Sequence, residues 1–379
     1  SDDVTGLAVL LTRIMLPTLL FVSLTYVAAG VLQVHGHFLL SASISIPFNI
    51  LVITSLFVKG DDLVMLGYVT TLGWLLQFLI QVPVLFKEKY RFFSRIDFHN
   101  EHTRLLFKQL LPILLGNSLL QLCLIIDRRF ATHLPVGTTA ALGFGSNLFV
   151  TITSVFIVAM ATVVFPRLSQ YCLDGDHERI RGLLKTVFQI LLFILVPYLI
   201  LVVFYNQELI ALVYQRGAFT DKSTTITALA FLGYSFGVAG YACQEIFNRV
   251  YYALKKFHIP MKASIICLVL KVGLDMLLYK TYGIMGISIS TSLVMLIYAL
   301  VTGYLLRKEI GSFLGQDLLS YLMQLLLPVA AMIAVILVGR WLKFEGLYFV
   351  LPLSVSGLFY VGVAYLTPIR STIMGLKEK

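Results

Sequence analysis

Uninterrupted apolar runs of about twenty residues recur along the whole chain and constrain its fold more than any other feature. A helix rises ~1.5 Å per residue, so a run of this length crosses the ~30 Å hydrocarbon core of a bilayer. The runs do not alternate apolar with polar residues, as the strands of a membrane β-barrel do. The sequence therefore predicts an all-α integral membrane protein.

The balance of residue types excludes the other broad classes of protein. Hydrophobic residues make up 59% of the 379 residues, and charged residues make up 13%. A soluble domain carries about 25% charged residues, so this chain cannot cover a water-exposed surface of ordinary composition. A disordered chain is excluded as well, because disorder requires low hydrophobicity and high net charge.

Eleven segments have the length and hydrophobicity that a membrane-spanning helix requires. Their limits are 8–34, 39–58, 62–86, 105–134, 138–165, 183–205, 223–254, 259–280, 284–306, 317–339 and 346–367. The short connections between them contain Gly, Pro, Asp and Lys, which are typical of turns at a membrane surface. We expect about eleven transmembrane helices.

The distribution of Lys and Arg predicts the orientation of these helices. The loops after the third, fifth, seventh and ninth helices, with the C-terminal tail, contain nineteen of these residues, and the opposite side contains nine. Cytoplasmic loops are enriched in Lys and Arg, so the C-terminus is expected in the cytoplasm.

An odd number of helices then puts Ser1 outside the cytoplasm. Because neither an initiator Met nor a signal peptide begins the sequence, we expect an odd number of helices to precede it. A natural N-terminus outside the cell is the alternative.

The net charge of +10 does not indicate a nucleic-acid partner, because the basic residues form short clusters between apolar runs rather than a continuous stripe. The four cysteines lack the spacing of a metal or redox site; they are Cys123, Cys172, Cys243 and Cys267. The sequence also lacks the common catalytic and phosphate-binding motifs. We therefore expect a protein that is not an enzyme and that uses no cofactor and no metal.

Charged residues inside predicted transmembrane helices are the strongest functional signal, because a charge in hydrocarbon is energetically costly. Those that stand out are Asp127, Arg128, Arg129, Glu245, Lys271 and Asp275. Lys271 and Asp275 are four residues apart and so share one helix face. The two could simply neutralise each other, with Asp127 pairing with a neighbouring arginine. Since apolar helices gain little by retaining such pairs, we favour a polar cavity between helix bundles.

Four segments, in order along the chain, carry a family resemblance. They are Asp127-Arg-Arg-Phe-Ala131 with Leu134-Pro-Val-Gly137, Leu212-Val-Tyr-Gln-Arg-Gly-Ala-Phe-Thr220, Arg249-Val-Tyr-Tyr-Ala-Leu254 with Pro260, and Gly286-Ile-Ser-Ile-Ser-Thr-Ser292. These segments resemble the lipid II flippase (MurJ/MviN-like) family of the multidrug/oligosaccharidyl-lipid/polysaccharide flippase superfamily. The resemblance runs through the entire chain.

The resemblance implies a fold of fourteen helices, with six in each of two lobes and an extra pair at the C-terminus. The eleven predicted helices are similar to the fourth through fourteenth of that family. Residues 1–100 would form the second half of the N-lobe, 101–310 a complete C-lobe, and 311–379 the extra pair with a cytoplasmic tail. The absence of three helices agrees with the odd number expected from the orientation.

The resemblance also implies a function. The family moves lipid II, the undecaprenyl-pyrophosphate-linked peptidoglycan precursor, from the cytoplasmic to the outer leaflet by alternating access. The chain is therefore expected in the bacterial inner membrane, with a role in cell-wall biogenesis and cell shape. Its expected partners are lipid II and membrane lipids, with other cell-wall synthesis proteins as further candidates.

The residues that the resemblance implies for substrate binding are Arg128, Arg129, Asn147, Arg216 and Arg249. An arginine fork suits the pyrophosphate because it binds phosphate oxygens in bidentate fashion. Many members of the family carry a cavity arginine where this chain has Asn147. We expect Arg128 or Arg129 to replace it.

A second site implied by the resemblance holds a monovalent cation within the membrane in some members of the family. Asp127, Asp275 and Thr291 match residues of that site. Lys271 stands where the family has an asparagine. We therefore expect the Lys271 ammonium to supply the charge of the cation from within the chain.

Three other functions stay open at this point. The chain could move a different lipid-linked oligosaccharide, it could be a cation-coupled drug antiporter of the same fold, or it could be a truncated paralogue that no longer transports. Asn147 favours the truncated paralogue. The retained Arg216, Arg249 and Asp275 argue against it.

Cysteine probes test the predicted orientation. A cysteine replacing Arg95 or Lys256 should be shielded from membrane-impermeant thiol reagents in intact cells, because the basic loops are expected inside. A cysteine replacing Lys222 should react. All three should react in permeabilised cells, which provide the control. Labelling at position 95 from outside the cell would overturn the orientation.

Overall fold

The computed structural model describes residues 2–60, 62–88, 101–313, 315–342 and 349–366. Within these ranges the chain forms helices joined by short turns, and no β-strand occurs in them. The prediction of an all-α fold is confirmed. The chain divides into two compact units, Ser1–Phe98 and His99–Lys379.

Five helices are described in the first unit: α1 Asp2–Met15, α2 Thr18–Val34, α3 Phe38–Ser43, α4 Ser45–Lys59 and α5 Leu63–Lys87. Helix α5 packs against α1, α2 and α4. It begins where the Asp62 carboxylate accepts hydrogen bonds from the backbone N–H groups of Val64 and Met65, which have no partner within the helix. Leu32 of α2 and Leu85 of α5 are buried in one apolar cluster.

A polar contact joins two helix ends of the first unit. His37, just before α3, places Nε2 2.8 Å from Oε1 of Glu88, which follows α5. This hydrogen bond lowers the pKa of Glu88 below its ordinary value. The carboxylate therefore contributes to the contact at neutral pH and loses that contribution as acid protonates it. Both side chains are partly exposed, so the contribution is small.

Ten helices are described in the second unit: α6 Glu101–Asn117, α7 Leu119–Ala131, α8 Thr138–Thr153, α9 Ala159–Leu173, α10 His177–Tyr214, α11 Asp221–Ser235, α12 Val238–Ala253, α13 His258–Ile310, α14 Gln316–Trp341 and α15 Val350–Leu366. A π-helical turn, Ser154–Val158, links α8 to α9. Helix α13 packs against α6, α7, α11 and α12. It therefore lies at the centre of this unit.

Helix α13 consists of two halves joined by a break. Gly283 has φ 54° and ψ −130°, a backbone conformation that favours glycine because it has no Cβ. Ser290 Oγ lies 2.7 Å from Lys271 Nζ although nineteen residues separate the two, which would be ~28 Å along a straight helix. The second half thus turns back beside the first. The break separates the predicted segments 259–280 and 284–306.

Among the described residues, six helical segments are long and apolar enough to cross a membrane: Thr5–Gln33, Leu63–Lys87, Thr138–Leu173, His177–Tyr214, His258–Ile310 and Ser320–Trp341. The number rises to eight if the bent pairs α6–α7 and α11–α12 each count as one span. The predicted segments 39–58 and 346–367 overlap in residue range with the shorter helices α4 and α15. Residues 346–348 and 367 lie outside the described residues. The chain is a multi-pass membrane protein, and the count of eleven stays a prediction.

The bend of 46° between α11 and α12 lies against the second half of α13. A Cβ atom on Gly237 would lie 2.7 Å from Ser292 Cα, so glycine is needed for this approach. Ser292 Oγ donates hydrogen bonds to the carbonyl oxygens of Gly233 at 2.6 Å and Tyr234 at 3.1 Å. These carbonyls belong to the last turn of α11, whose carbonyl oxygens have no N–H donor within the helix. The contact fixes the last turn of α11 on α13.

The three-part division into 1–100, 101–310 and 311–379 stays a prediction. Helix α14 packs against α15 and against α10, and all three belong to the second unit. Of the labelling positions, Arg95 lies outside the described residues. Lys222 lies in the first turn of α11 and Lys256 follows α12, so these two lie at opposite ends of the bent pair.

Candidate functional site

Three charged side chains meet in the interior of the second unit. Asp127 comes from α7, and Lys271 and Asp275 come from the first half of α13. The exposed fraction of each is 0%. Spacing of four residues already put Lys271 and Asp275 on one helix face, and packing of α7 on α13 adds Asp127 to them.

Oxygen atoms surround the Lys271 ammonium. It forms an ion pair with Oδ1 of Asp127, and both carboxylate oxygens of Asp275 lie 2.5 Å from Nζ. Nζ also donates a hydrogen bond to Ser290 Oγ at 2.7 Å and lies 3.4 Å from the carbonyl oxygen of Ile287. The ammonium therefore joins α7 to both halves of α13.

Hydroxyl groups complete the coordination of the two carboxylates. Oδ2 of Asp127 accepts hydrogen bonds from Tyr234 Oη and Thr291 Oγ1, each at 2.8 Å. Ser290 Oγ contacts Oδ1 of Asp275. Tyr234 brings α11 into the arrangement. We call these six residues the Lys271 cluster: Asp127, Tyr234, Lys271, Asp275, Ser290 and Thr291.

The charge of the Lys271 cluster defines what it can do. Two carboxylates face one ammonium, so full ionisation leaves one negative charge in excess. Removing each ion from water costs several kcal/mol, which only close partners offset. The three hydroxyl donors stabilise the carboxylates in the ionised form. The Lys271 ammonium lies among these oxygens and is the positive charge that balances them.

Sequence reasoning named four members of the cluster and missed two. The structure brings together Asp127, Lys271, Asp275 and Thr291. It adds Ser290, which the run of hydroxyl residues at 288–292 could have indicated. Tyr234 lies in an apolar helix with no comparable signal, and only the packing of α11 against α13 places it there.

The residues expected to bind the substrate are not gathered in one place. Arg128 and Arg129 are exposed in the last turn of α7. Because successive helical residues point ~100° apart, they cannot point in the direction of the buried Asp127. Arg216 is exposed in the turn between α10 and α11, whereas Arg249 lies near the far end of α12.

Asn147 and Arg249 have different surroundings. Asn147 is exposed on α8. Arg249 is half-buried, lies 3.8 Å from Glu245 Oε2, and stacks over the ring of Phe165 at 5.9 Å. The neighbouring Gln244 is fully buried, and neither of its polar atoms has a hydrogen-bond partner among the described residues. Within the same residues, no group of three His, Cys, Asp or Glu side chains could hold a metal ion.

Comparison with known proteins gives the chain its relatives. The family model described as "Lipid II flippase MurJ" matches residues 1–357. The "Probable lipid II flippase MurJ" of Buchnera aphidicola subsp. Acyrthosiphon pisum is 26% identical over 333 residues, which cover 86% of this chain and 65% of that protein. The "Lipid II flippase MurJ" of Burkholderia cenocepacia is 26% identical over 311 residues, covering 80% and 60%. The chain thus spans less than two thirds of these relatives.

Solved structures show the same fold. "Lipid II flippase MurJ, inward closed conformation" has a TM-score of 0.75 at 20% identity and covers 94% of this chain and 73% of that chain. "Crystal structure of MATE in the bent conformation" has a TM-score of 0.62 at 16% identity, covering 83% and 71%. The two-lobe flippase fold expected from the sequence is confirmed.

Replacement of Lys271 tests how much the Lys271 cluster contributes to the free energy of unfolding. Lys271→Met should lower the free energy of unfolding by about 3 kcal/mol or more, because it leaves two buried carboxylates without a counter-charge. Thermal unfolding in detergent measures the effect. Lys262→Met, at an exposed position of the same helix, is the matched control and should change little.

A compensated variant separates charge from packing. Lys271→Met combined with Asp127→Asn and Asp275→Asn should recover most of the lost stability, since no unpaired charge remains buried. If the single variant unfolds at the same temperature as the unmodified protein, the ion pairs contribute nothing to its stability.

Proposed function

We propose a function from one premise, which is that the chain belongs to the lipid II flippase MurJ family. The function is movement of lipid II, a lipid-linked peptidoglycan precursor, from the cytoplasmic to the outer leaflet of the bacterial inner membrane. The family match over residues 1–357 carries the proposal. It is a proposal for the whole protein because the chain spans less than two thirds of its relatives.

Alternating access between two lobes is the proposed mechanism. Rocking of one helix bundle against another moves a central site from one side of the membrane to the other. The pyrophosphate of the substrate requires cationic partners, and arginine supplies both charge and a bidentate fork. The apolar tail can stay in the bilayer while the polar head crosses.

Arg128 and Arg129 are the proposed pyrophosphate ligands. They would replace the arginine that many family members have at the position of Asn147. Two observations support them: both are exposed at the end of α7, and the adjacent Asp127 is anchored in the Lys271 cluster. The anchor fixes the last turn of α7, so the two guanidinium groups extend from a rigid support. Arg216 and Arg249 remain proposed substrate contacts at the two ends of the α11–α12 pair.

Replacement of both arginines tests the function. In a full-length version of the protein, Arg128→Ala with Arg129→Ala should abolish rescue of a strain depleted of its own lipid II flippase. Lysine at both positions should rescue partly, because an ammonium lacks the fork. Cell growth and the amount of protein in the membrane are the measurements.

A charge-matched control accompanies this experiment. Lys222→Ala with Lys280→Ala removes the same charge from exposed positions on the same predicted side, and it should leave rescue intact. Full rescue by the double alanine variant at 128 and 129 would disprove their assignment. Failure of the unmodified full-length protein to rescue would instead disprove lipid II transport.

The Lys271 ammonium is the proposed internal substitute for a free monovalent cation. Support comes from its full burial and from its contacts with both carboxylates and with Ser290. A lysine tethered in α13 cannot exchange with the solution. Transport by this protein is therefore proposed to need no sodium.

Lys271→Asn should create sodium dependence, because it removes the tethered charge and leaves oxygen ligands for a free ion. Thermal unfolding in NaCl and in choline chloride of equal strength measures this. A bound ion at a hundred times its Kd stabilises by ~2.7 kcal/mol, so the variant should melt higher in NaCl. The unmodified protein and the Lys262→Asn control should show no difference. Sodium-dependent stabilisation of the unmodified protein would refute the substitution.

The other functions have less support. The MATE structures share the fold at 16–18% identity. A similarity at this level shows the fold and does not indicate the substrate. Another lipid-linked oligosaccharide, a drug, or loss of transport would each leave a flippase-depleted strain without rescue, so the same experiment separates them from lipid II transport. Partnership with other cell-wall synthesis proteins stays a prediction.

A further inference from the structure

A furrow lies between α12 and the second half of α13. Its volume is about 500 Å³, within the range of small-ligand sites. Its lining combines small residues with leucines and aromatic rings, among them Ala239, Cys243, Gly303, Phe247, Leu300 and Tyr304. At its floor the helices touch, because a Cβ on Gly240 would lie 2.5 Å from the backbone of Met295. The furrow is therefore an apolar groove between two tightly packed helices.

The length of the furrow matches one leaflet of the bilayer. Along α13 it extends from Leu296 to Arg307, eleven helical steps or ~16 Å. Half of the ~30 Å hydrocarbon core is ~15 Å. Leu300, on the rim, is 73% exposed, as expected of a side chain that faces lipid. A single acyl chain has the length to occupy this furrow, whereas an undecaprenyl chain is several times longer.

One end of the furrow is positively charged. Arg307 lines that end, and its guanidinium has no hydrogen bond or ion pair among the described residues. Lys308 lies next to it, with Nζ 4.6 Å from the centre of the Tyr304 ring. The adjacent acid, Glu309, is already paired with Lys256. Arg307 is thus free to bind an anion.

We propose that this furrow binds one anionic phospholipid, with an acyl chain between α12 and α13 and the phosphate on Arg307. Basic sites between transmembrane helices bind anionic headgroups in this way, and the guanidinium fork suits phosphate oxygens. The surrounding membrane supplies the occupant. The site is separate from the Lys271 cluster and does not depend on the proposed transport.

Native mass spectrometry of the delipidated full chain in detergent tests the site, with dioleoyl phosphatidylglycerol and dioleoyl phosphatidylcholine as probes. The unmodified protein should bind one phosphatidylglycerol more tightly than phosphatidylcholine. Arg307→Gln should weaken phosphatidylglycerol binding about tenfold, because a charge-assisted contact is lost. Lys262→Gln removes an exposed charge outside the furrow and should bind as the unmodified protein does.

A second variant tests the acyl chain. Ala239 is exposed and lines the furrow, so Ala239→Trp should fill it and weaken binding of both lipids. Equal binding of the two lipids by the unmodified protein would overturn the proposal. So would normal binding by Arg307→Gln or Ala239→Trp, or one-for-one displacement of phosphatidylglycerol by lipid II, which would make the furrow a substrate site.

Discussion

The buried ammonium of Lys271 is the interaction on which the geometry of the second unit depends. In hydrocarbon no water can replace a missing partner, so each charge of the cluster requires the others in place. Asp127 fixes the rotation of α7. Ser290 fixes the second half of α13 against the first, and Thr291 fixes that half against α7. Tyr234 adds the last turn of α11. A single cluster thus sets the register of four helical segments.

The packing around the cluster uses small residues for two purposes. Gly237 lets the α11–α12 bend approach α13 at Ser292, which fixes Tyr234 where it can reach Asp127. One turn further along α12, Gly240 allows the same close approach, and the small side chains beyond it leave a furrow open to lipid. Close helix packing in membranes relies on such residues, because lipid tails leave little hydrophobic force between helices.

The family resemblance predicts a difference in charge at two positions, and the structure places these positions in different settings. Asn147, where the resemblance predicts an arginine, is exposed, whereas Lys271, where it predicts an asparagine, lies in the fully buried cluster. Exposed arginines at the end of α7 lie one and two residues beyond Asp127. The proposed cation-holding and substrate-binding roles therefore fall on adjacent residues of one helix.

Local sequence properties were enough to predict the membrane class, the helical fold and the shared face of Lys271 and Asp275. Apolar length and four-residue spacing are local properties, so no knowledge of neighbouring helices is needed. The sequence did not predict the rotation of each helix about its own axis. A span that is apolar all round has no amphipathic stripe to show which face is buried. Helix packing is what brings Tyr234 to Asp127 and Ser290 to Lys271 and Asp275, and it leaves Arg128 exposed. The contacts of Asp127 with Tyr234 and Thr291 join segments more than a hundred residues apart. The contacts of Ser290 depend on the break at Gly283, which brings the second half of α13 beside the first. The residues of one segment alone specify neither.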